Sequence, residues 1–303
     1  MSKRTVLIAG PTASGKTGLA LKIAAHIDGI IINADALQVY AKWRVLTARP
    51  TDDELAQAPH HLYGYVDEAQ EYSVGAWVKD VSDLLDKTDK CAIIIGGTGL
   101  YFSALLNGLS EIPPIPPAVR EAGNAHRERA GVAWFKEALR ENDPKSLARL
   151  DQNNPARLQR AWEVLEATGK GLSYWHARPA RPRVSLEETT PILLNWQPKD
   201  LNSRIDIRFE TMIKSGAIEE CETAKAAGFN PVLPANRAIG AKEIIDAIDG
   251  KITMQDAVIK SKTLTHQFAK RQRTWFRSKM QDWQQIDMSE NPDLNALVKG
   301  LPR

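Results

Sequence analysis

Val6-Leu7-Ile8-Ala9-Gly10-Pro11-Thr12-Ala13-Ser14-Gly15-Lys16-Thr17 is the stretch on which the fold of this chain turns. Its first four residues are a short apolar run, the signature of a buried parallel strand. Gly10 to Thr17 then follows the pattern G-x-x-x-x-G-K-S/T, a P-loop. Gly10 and Gly15 allow backbone conformations that aim successive N–H groups inward as an anion nest. The helix that starts after Gly15 adds the positive end of its dipole. Lys16 supplies a point charge for phosphate oxygens, and Thr17 a hydroxyl suited to Mg²⁺. The bland alternative is a chance match in a glycine turn. Here a strand pattern precedes the motif and a helix pattern follows it, which is the context the motif requires. The stretch predicts a site for a phosphate-bearing small molecule.

The pattern continues in kind. From Lys16 a helical spacing puts Leu19, Ile23 and Ile27 on one face. Ile30-Ile31-Ile32 reads as a second buried strand ending at Asn33-Ala34-Asp35, and Val74 to Leu85 as a helix. Cys91-Ala92-Ile93-Ile94-Ile95 is a third strand, ending in Gly96-Gly97-Thr98-Gly99. Alternating strands and helices predict an α/β protein with a doubly wound parallel sheet. Pro191 to Trp196 reads as one more strand of it. Between these halves, Ile112-Pro113-Pro114-Ile115-Pro116-Pro117 is a stiff extended punctuation. Ala118 to Thr168 follows without a strand candidate, and Asp143-Pro144 and Asn154-Pro155 mark helix starts. The proline-basic stretch Arg178 to Arg183 closes this region. The expected organisation is a P-loop NTPase-like α/β core of residues 1–112 and 184–303, with a helical tail, and an all-helical insertion of residues 113–183.

Bulk properties bound the function. The 303 residues are 43% hydrophobic and 25% charged, ordinary for a globular protein. A net charge of +3 does not by itself announce nucleic acid. Cys91 and Cys221 have no metal-ligand spacing and read as reduced thiols. No apolar stretch suits a signal peptide or membrane span, so a cytoplasmic, membrane-free monomer is the default expectation.

Four further features carry candidate chemistry. Asp35 ends the second strand, and in an open α/β sheet ligands sit outside the carboxyl ends of the strands. It could hold Mg²⁺, act as a general base, or merely cap a turn. Gly96-Gly97-Thr98-Gly99 ends the third strand, where many P-loop ATPases and GTPases carry a Mg²⁺-binding aspartate; tight packing is the rival explanation for its glycines. Arg204 and Arg208, four apart on a helix, suit either a diphosphate clamp or simple surface pairing with Asp200 and Asp206. Lys260 to Lys279 carries seven basic residues and no acid, interrupted by Trp275 and Phe276. Basic residues interleaved with aromatics suit RNA, although a solvated basic helix is the plainer reading. Arg120, Arg127, Arg149, Arg157 and Arg160 make the insertion basic as well.

In combination these pieces resemble the tRNA dimethylallyltransferase (tRNA isopentenyltransferase) family. The matching segments are Gly10–Thr17, Asp35-Ala36-Leu37-Gln38-Val39-Tyr40, Thr47-Ala48-Arg49-Pro50, His60-His61-Leu62 and Gly96–Phe102, followed by Asp151–Arg160, Arg237-Ala238-Ile239-Gly240 and Lys270–Arg277. They come in the family's order and span nearly the whole chain. The resemblance implies transfer of a dimethylallyl group from its diphosphate to N6 of the tRNA adenosine immediately 3′ of the anticodon. It implies a P-loop core, a helical insertion gripping the anticodon stem-loop, and Mg²⁺ as cofactor. By motif the loop also places the chain among nucleotide-binding, ATP-binding proteins.

Residue by residue, Gly10, Pro11, Thr12, Ala13, Ser14, Gly15, Lys16 and Thr17 would hold the diphosphate, Thr17 also the metal. Arg204 or Arg208 would add a diphosphate contact. Asp35 matches the general base, with Lys16 and Thr98 in the catalytic group. Asp35, Ala36, Leu37, Gln38 and Thr98 would meet the target nucleotide. Further tRNA contacts would fall on Arg120; on Ala156, Arg157, Leu158, Gln159 and Arg160; on Arg237, Ala238, Ile239, Gly240, Ala241 and Lys242; and on Lys270, Arg271, Gln272, Arg273, Thr274, Trp275, Phe276 and Arg277. The chain departs from the family's usual pattern at Ala36 (commonly Ser), Arg49 (commonly Lys) and Ala241 (commonly Tyr), which bears on RNA recognition rather than on the loop. Competing readings are a P-loop small-molecule kinase, an RNA-binding protein with an inactive loop, and a prenyltransferase of free adenine nucleotides. The two basic regions count against the first, and intact Lys16, Thr17, Asp35 and Thr98 against the second. The insertion and the Lys270–Arg277 stretch count against the third.

Overall fold

In a computed structural model, residues 5–178 and 180–301 are described. The chain divides into two compact units, one made of the residues through Leu106 together with those from Arg183 onward, the other of Asn107–Pro182.

The first unit is built on a six-stranded sheet in the order β3-β2-β4-β1-β5-β6. The strands are β1 (Thr5–Ala9), β2 (Ile30–Asn33), β3 (His60–His61), β4 (Ala92–Gly96), β5 (Thr189–Asn195) and β6 (Gln284–Asp287). All neighbours run parallel, with Leu7 opposite Ile94 on one side and Pro191 on the other. Strand side chains alternate between faces, and here both faces are covered. Leu7, Ala9, Ile30, Ile32 and Ile94 pack on one side with Trp77, Val81, Phe102 and Phe276. Val6, Ile8, Ile31, Ile93 and Ile95 pack on the other with Leu19, Ala20, Ile23 and Val298. This double burial is why the strands read as continuous aliphatic runs rather than alternating ones.

The helices in this part of the chain are α1 (Lys16–Ile27), α2 (Asp52–Gln57), α3 (Val74–Lys87) and α4 (Gly99–Asn107). Two edge strands and α2 were not expected from the sequence. β3 is two histidines and β6 is Gln-Gln-Ile-Asp, so neither shows an apolar run. α2 carries a full capping box, Thr51 with Glu54, a signal legible in Thr51-Asp52-Asp53-Glu54. The third and fourth predicted strands are shifted slightly, to Ala92–Gly96 and Thr189–Asn195.

The second unit is all-helical: α5 (Pro117–Asn142), α6 (Pro144–Leu147), α7 (Pro155–Thr168) and α8 (Leu172–His176). Asp143 and Asn154 cap α6 and α7 with their side chains, each followed by proline at the first helical position. Gly131, at φ 61° and ψ −148°, breaks α5 into two pieces. Its core gathers Phe135, Leu139, Leu158, Trp162 and Val164.

After β5 the first unit continues as α9 (Pro198–Met212), a π-helical turn (Ile213–Ala217), α10 (Ile218–Ala226), a 3₁₀ turn (Pro234–Arg237), α11 (Ala241–Ile248) and α12 (Met254–Lys279). These pack around Trp43, Phe209, Cys221 and Ile244. A short α13 (Leu294–Lys299) closes the chain. Among the described residues no helix is long and apolar enough to cross a membrane.

Candidate active site

The carboxyl ends of β1, β2 and β4 converge, and each contributes one part of a site. β1 runs into the P-loop. Ala13 lies at φ 62° and Gly15 at φ 91°, the left-handed excursions that turn the loop's N–H groups to a common centre. A Cβ at Gly10 would stand 2.7 Å from Ser14 Oγ and 3.1 Å from the Leu194 carbonyl, so the first loop glycine cannot carry a side chain. Ser14 Oγ is buried with no hydrogen-bond partner in the described structure. The left-handed turns at Ala13 and Gly15 aim loop N–H groups at a common centre, and a diphosphate fits such a nest.

Lys16 Nζ folds back to donate to the carbonyls of Gly10 (2.9 Å) and Pro11 (2.8 Å). Burial, and then the nearby Arg208, lower its pKa to about 7, with Asp35 opposing. The Lys16 amine is thus poised to take up a proton when an anion arrives.

Three side chains from elsewhere brace three consecutive loop residues. The Thr12 N–H donates to Gln272 Oε1 at 2.9 Å. Arg204 Nε donates to the Ala13 carbonyl at 3.0 Å. Trp196 Nε1 donates to the Ser14 carbonyl at 3.1 Å, and the Arg204 guanidinium lies over the Trp196 ring, 4.6 Å from its centroid. Arg208 reaches the Thr12 hydroxyl at 3.4 Å. Both arginines of the predicted clamp therefore meet the loop, Arg204 at its backbone and Arg208 at a side chain.

β2 delivers Asp35. The fully buried Asn33 side chain accepts from the Asp35 N–H and donates to the Asp35 and Leu62 carbonyls, fixing the backbone of the aspartate. Asp35 Oδ1 accepts from Leu37 N at 2.9 Å. This is an Asx turn, and it orients the carboxylate while occupying only one oxygen. Oδ2 lies beside Gly97, where an added Cβ would be 3.6 Å away. The negative charge is felt across the site: it raises Lys16 and Arg208 against their burial, and joins burial in pushing the Tyr63 and Tyr101 phenols up.

β4 ends in Gly96-Gly97-Thr98. A Cβ at Gly96 would stand 2.0 Å from the Ala34 carbonyl oxygen, so the approach of the β2 and β4 ends demands glycine. Thr98 Oγ1 accepts from Ala36 N at 3.0 Å, and Thr98 N donates to the Ala34 carbonyl. Thr98 holds the turn that carries Asp35. Gln38 Nε2 donates to the Thr47 and Ala48 carbonyls, and Arg49 packs over Gly64 while donating to the Ala41 carbonyl.

The basic segments divide by helix face. On α12, Lys270, Arg271, Thr274 and Arg277 are exposed and Arg273 is half-buried. Gln272 and Phe276 point inward instead, and the Trp275 ring lies on Gly99, where a Cβ would be 2.2 Å from it. In the Arg237–Lys242 stretch only the two ends are exposed: Ile239 is half-buried and Ala238, Gly240 and Ala241 are buried. Gly240 at φ 99° begins α11 against Phe209. In the helical unit Arg120, Ala156 and Arg157 are exposed and Arg160 is half-buried. Leu158 belongs to the core, and Gln159 donates to Asn124 and Glu163. A contiguous eight-residue motif on a helix cannot present every member to a partner, so the inward residues of these stretches serve packing and bracing. The braces Trp196 and Asn33 were not among the residues expected from sequence; Asn33 had the signal of an amide just before a strand-end aspartate, Trp196 none.

Among the described residues no three His, Cys, Asp or Glu side chains gather as a metal site. A phosphate-borne Mg²⁺ needs few protein ligands, and a hydroxyl at Thr17, the second residue of α1, suits that sparse role.

Fold and site together define a doubly wound P-loop protein whose anion cradle lies near an oriented carboxylate and is backed by a basic helix. Comparison with known proteins narrows the class. An IPP transferase family profile matches residues 38–279, and an isopentenyl transferase profile residues 3–67. A tRNA dimethylallyltransferase from Cereibacter sphaeroides is 48% identical over 94% of this chain and 89% of its own length. One from Bradyrhizobium sp. is 44% identical over 93% of this chain and 92% of its own length. Among solved structures, the tRNA isopentenylpyrophosphate transferase from Bacillus halodurans matches with a TM-score of 0.70 and 29% identity, covering 98% of this chain and 93% of that one. The chain belongs to the IPP transferase family, that of the tRNA dimethylallyltransferases.

Proposed function

We infer that this protein transfers a dimethylallyl group from dimethylallyl diphosphate to N6 of the adenosine immediately 3′ of the anticodon in tRNA. The observation that carries the reading is Asp35: one oxygen is tied to its own turn, and the other is left beside an anion cradle and turned toward no protein donor in the described structure. Allylic diphosphates ionise readily because the cation is delocalised. As the C1–O bond breaks, its electron pair goes to the diphosphate, whose growing charge is met by the loop N–H groups, Lys16, and the guanidinium of Arg208. Mg²⁺ held with Thr17 would neutralise part of the same charge.

The adenine amine is a weak nucleophile because its lone pair is delocalised into the ring. As C1–N6 forms, N6 loses a proton, and Asp35 Oδ2 is the acceptor in place to orient the amine and take it. The adenosine must leave the loop stack to reach this point. The exposed basic side chains of α12, with Arg237 and Lys242, and those of the helical unit, Arg120 and Arg157, serve the phosphates of the anticodon stem-loop. Thr98 acts on the nucleotide site through the turn it holds, and Gln38 through the Thr47–Ala48 segment its amide braces.

A kinase reading would also use the loop and Asp35. Thermal-shift titration with dimethylallyl diphosphate and with ATP, each with Mg²⁺, separates the two. Stabilisation by the allylic diphosphate supports transfer; stabilisation by ATP alone contradicts it.

A further inference from the structure

Gln272 lies within a stretch whose Lys270, Arg271, Thr274 and Arg277 face solvent, yet it is only 6% exposed. Both ends of its amide are engaged, and in a polarity that cannot be reversed. Oε1 accepts from the Thr12 N–H at 2.9 Å, and Nε2 donates to the Gly97 carbonyl at 2.9 Å. The two partners are the second residue after the first P-loop glycine and the turn at the end of β4. The absence of a side chain at Gly97 leaves room for this amide: a Cβ there would lie 2.2 Å from Gln272 Nε2 and push it aside. Thr12 precedes Ala13, which sits at φ 62°, a left-handed conformation that a residue with a Cβ does not hold without support. The Gly97 turn continues into Thr98, whose hydroxyl anchors the backbone of Ala36 beside Asp35.

We propose that Gln272 is a positioning residue for the reaction: one buried amide on α12 fixes the P-loop in its anion-accepting form and ties it to the turn that aims Asp35. It does not contact RNA. The proposal rests on the reading that the loop holds the diphosphate. It makes the basic helix α12 and the diphosphate cradle one mechanical piece, so that the tRNA-facing residues one turn away share a rigid body with the leaving-group site.

The test uses the full chain carrying Gln272→Met, which keeps the length of the side chain and removes both hydrogen bonds. Three readouts are needed: affinity for inorganic diphosphate with Mg²⁺, affinity for an unmodified anticodon stem-loop, and KM against kcat for transfer. The expected result is about a tenfold rise in both the diphosphate Kd and the KM for dimethylallyl diphosphate, the size of one lost buried hydrogen-bond pair, with stem-loop affinity within about twofold of wild type. Gly97→Ala, which displaces the same amide from its other end, should give the same pattern, and the double variant should lose no more than either alone. If Gln272→Met is insoluble, Gly97→Ala is read by the same criteria. Loss of stem-loop affinity with unchanged diphosphate affinity would overturn the proposal in favour of direct RNA contact. Loss of both in step, or of neither, would overturn it as well. Failure of the wild-type protein to transfer the group at all would count against the function while the diphosphate comparison stays readable.

Discussion

Lys16 gives the site a pH signature. Its folded pKa is lowered to about 7, by burial first and then by Arg208. Without a ligand the Lys16 side chain is therefore about half charged at pH 7, about one-tenth at pH 8 and about one-hundredth at pH 9. A bound diphosphate raises that pKa, because an opposite charge favours the protonated form. Binding must then take up protons: about half of one per site at pH 7 and about 0.9 at pH 8. The sign follows directly. Affinity is fully present below pH 7 and lost as pH rises above it, by about fiftyfold, or roughly 2.3 kcal/mol, between pH 7 and 9. Calorimetric titration of inorganic diphosphate with Mg²⁺, in two buffers of different ionisation enthalpy, reads both quantities. Lys16→Arg should flatten the slope, since a guanidinium stays charged throughout. Affinity independent of pH from 7 to 9, with no buffer-dependent heat, would refute the reasoning.

Asp35→Asn keeps an oxygen for the Leu37 N–H and removes the proton acceptor, so transfer should slow by about 10²- to 10⁴-fold while stem-loop affinity holds; single-turnover assays and filter binding separate the two, and wild-type rates would contradict the base assignment. Paired Arg271→Glu and Arg277→Glu changes reverse two exposed charges on α12; stem-loop binding should weaken and lose part of its salt dependence, with diphosphate affinity unchanged in the same preparation. Gly96→Ala forces a Cβ into the Ala34 carbonyl, a main-chain clash of about 1–3 kcal/mol; thermal denaturation should show a melting temperature lower by several degrees, at about 2–4 °C per kcal/mol for a domain of this size, and an unchanged value would mean that the β2 and β4 ends do not approach as closely as described.

The sequence made the centre of the sheet readable and left its edges obscure, for a physical reason. β1, β2 and β4 are buried on both faces and had to be aliphatic. The edge strand β3, His60–His61, and the edge strand β6, Gln284–Asp287, are held by backbone pairing to β2 and β5, which leaves no apolar run to see. The P-loop and Asp35 were legible because each sits at the end of such a strand, where the fold puts ligands. The braces were not. Gln272 meets Thr12 across 260 positions of sequence and Trp196 meets Ser14 across 182, separations at which no local pattern operates. Within Lys270–Arg277 the helix period sends Gln272 and Phe276 to the core and Lys270, Arg271, Thr274 and Arg277 to solvent, a division that a contiguous stretch of sequence does not display.

In this reading of the site the loop holds an allylic diphosphate while RNA supplies the nucleophile. Incubation of the protein with dimethylallyl diphosphate, Mg²⁺ and an unmodified anticodon stem-loop, followed by nucleotide-resolved mass spectrometry, tests it most directly. The expected product carries one dimethylallyl group on N6 of the adenosine immediately 3′ of the anticodon; an unmodified stem-loop, or a group on any other nucleotide, would rule out the assigned transfer.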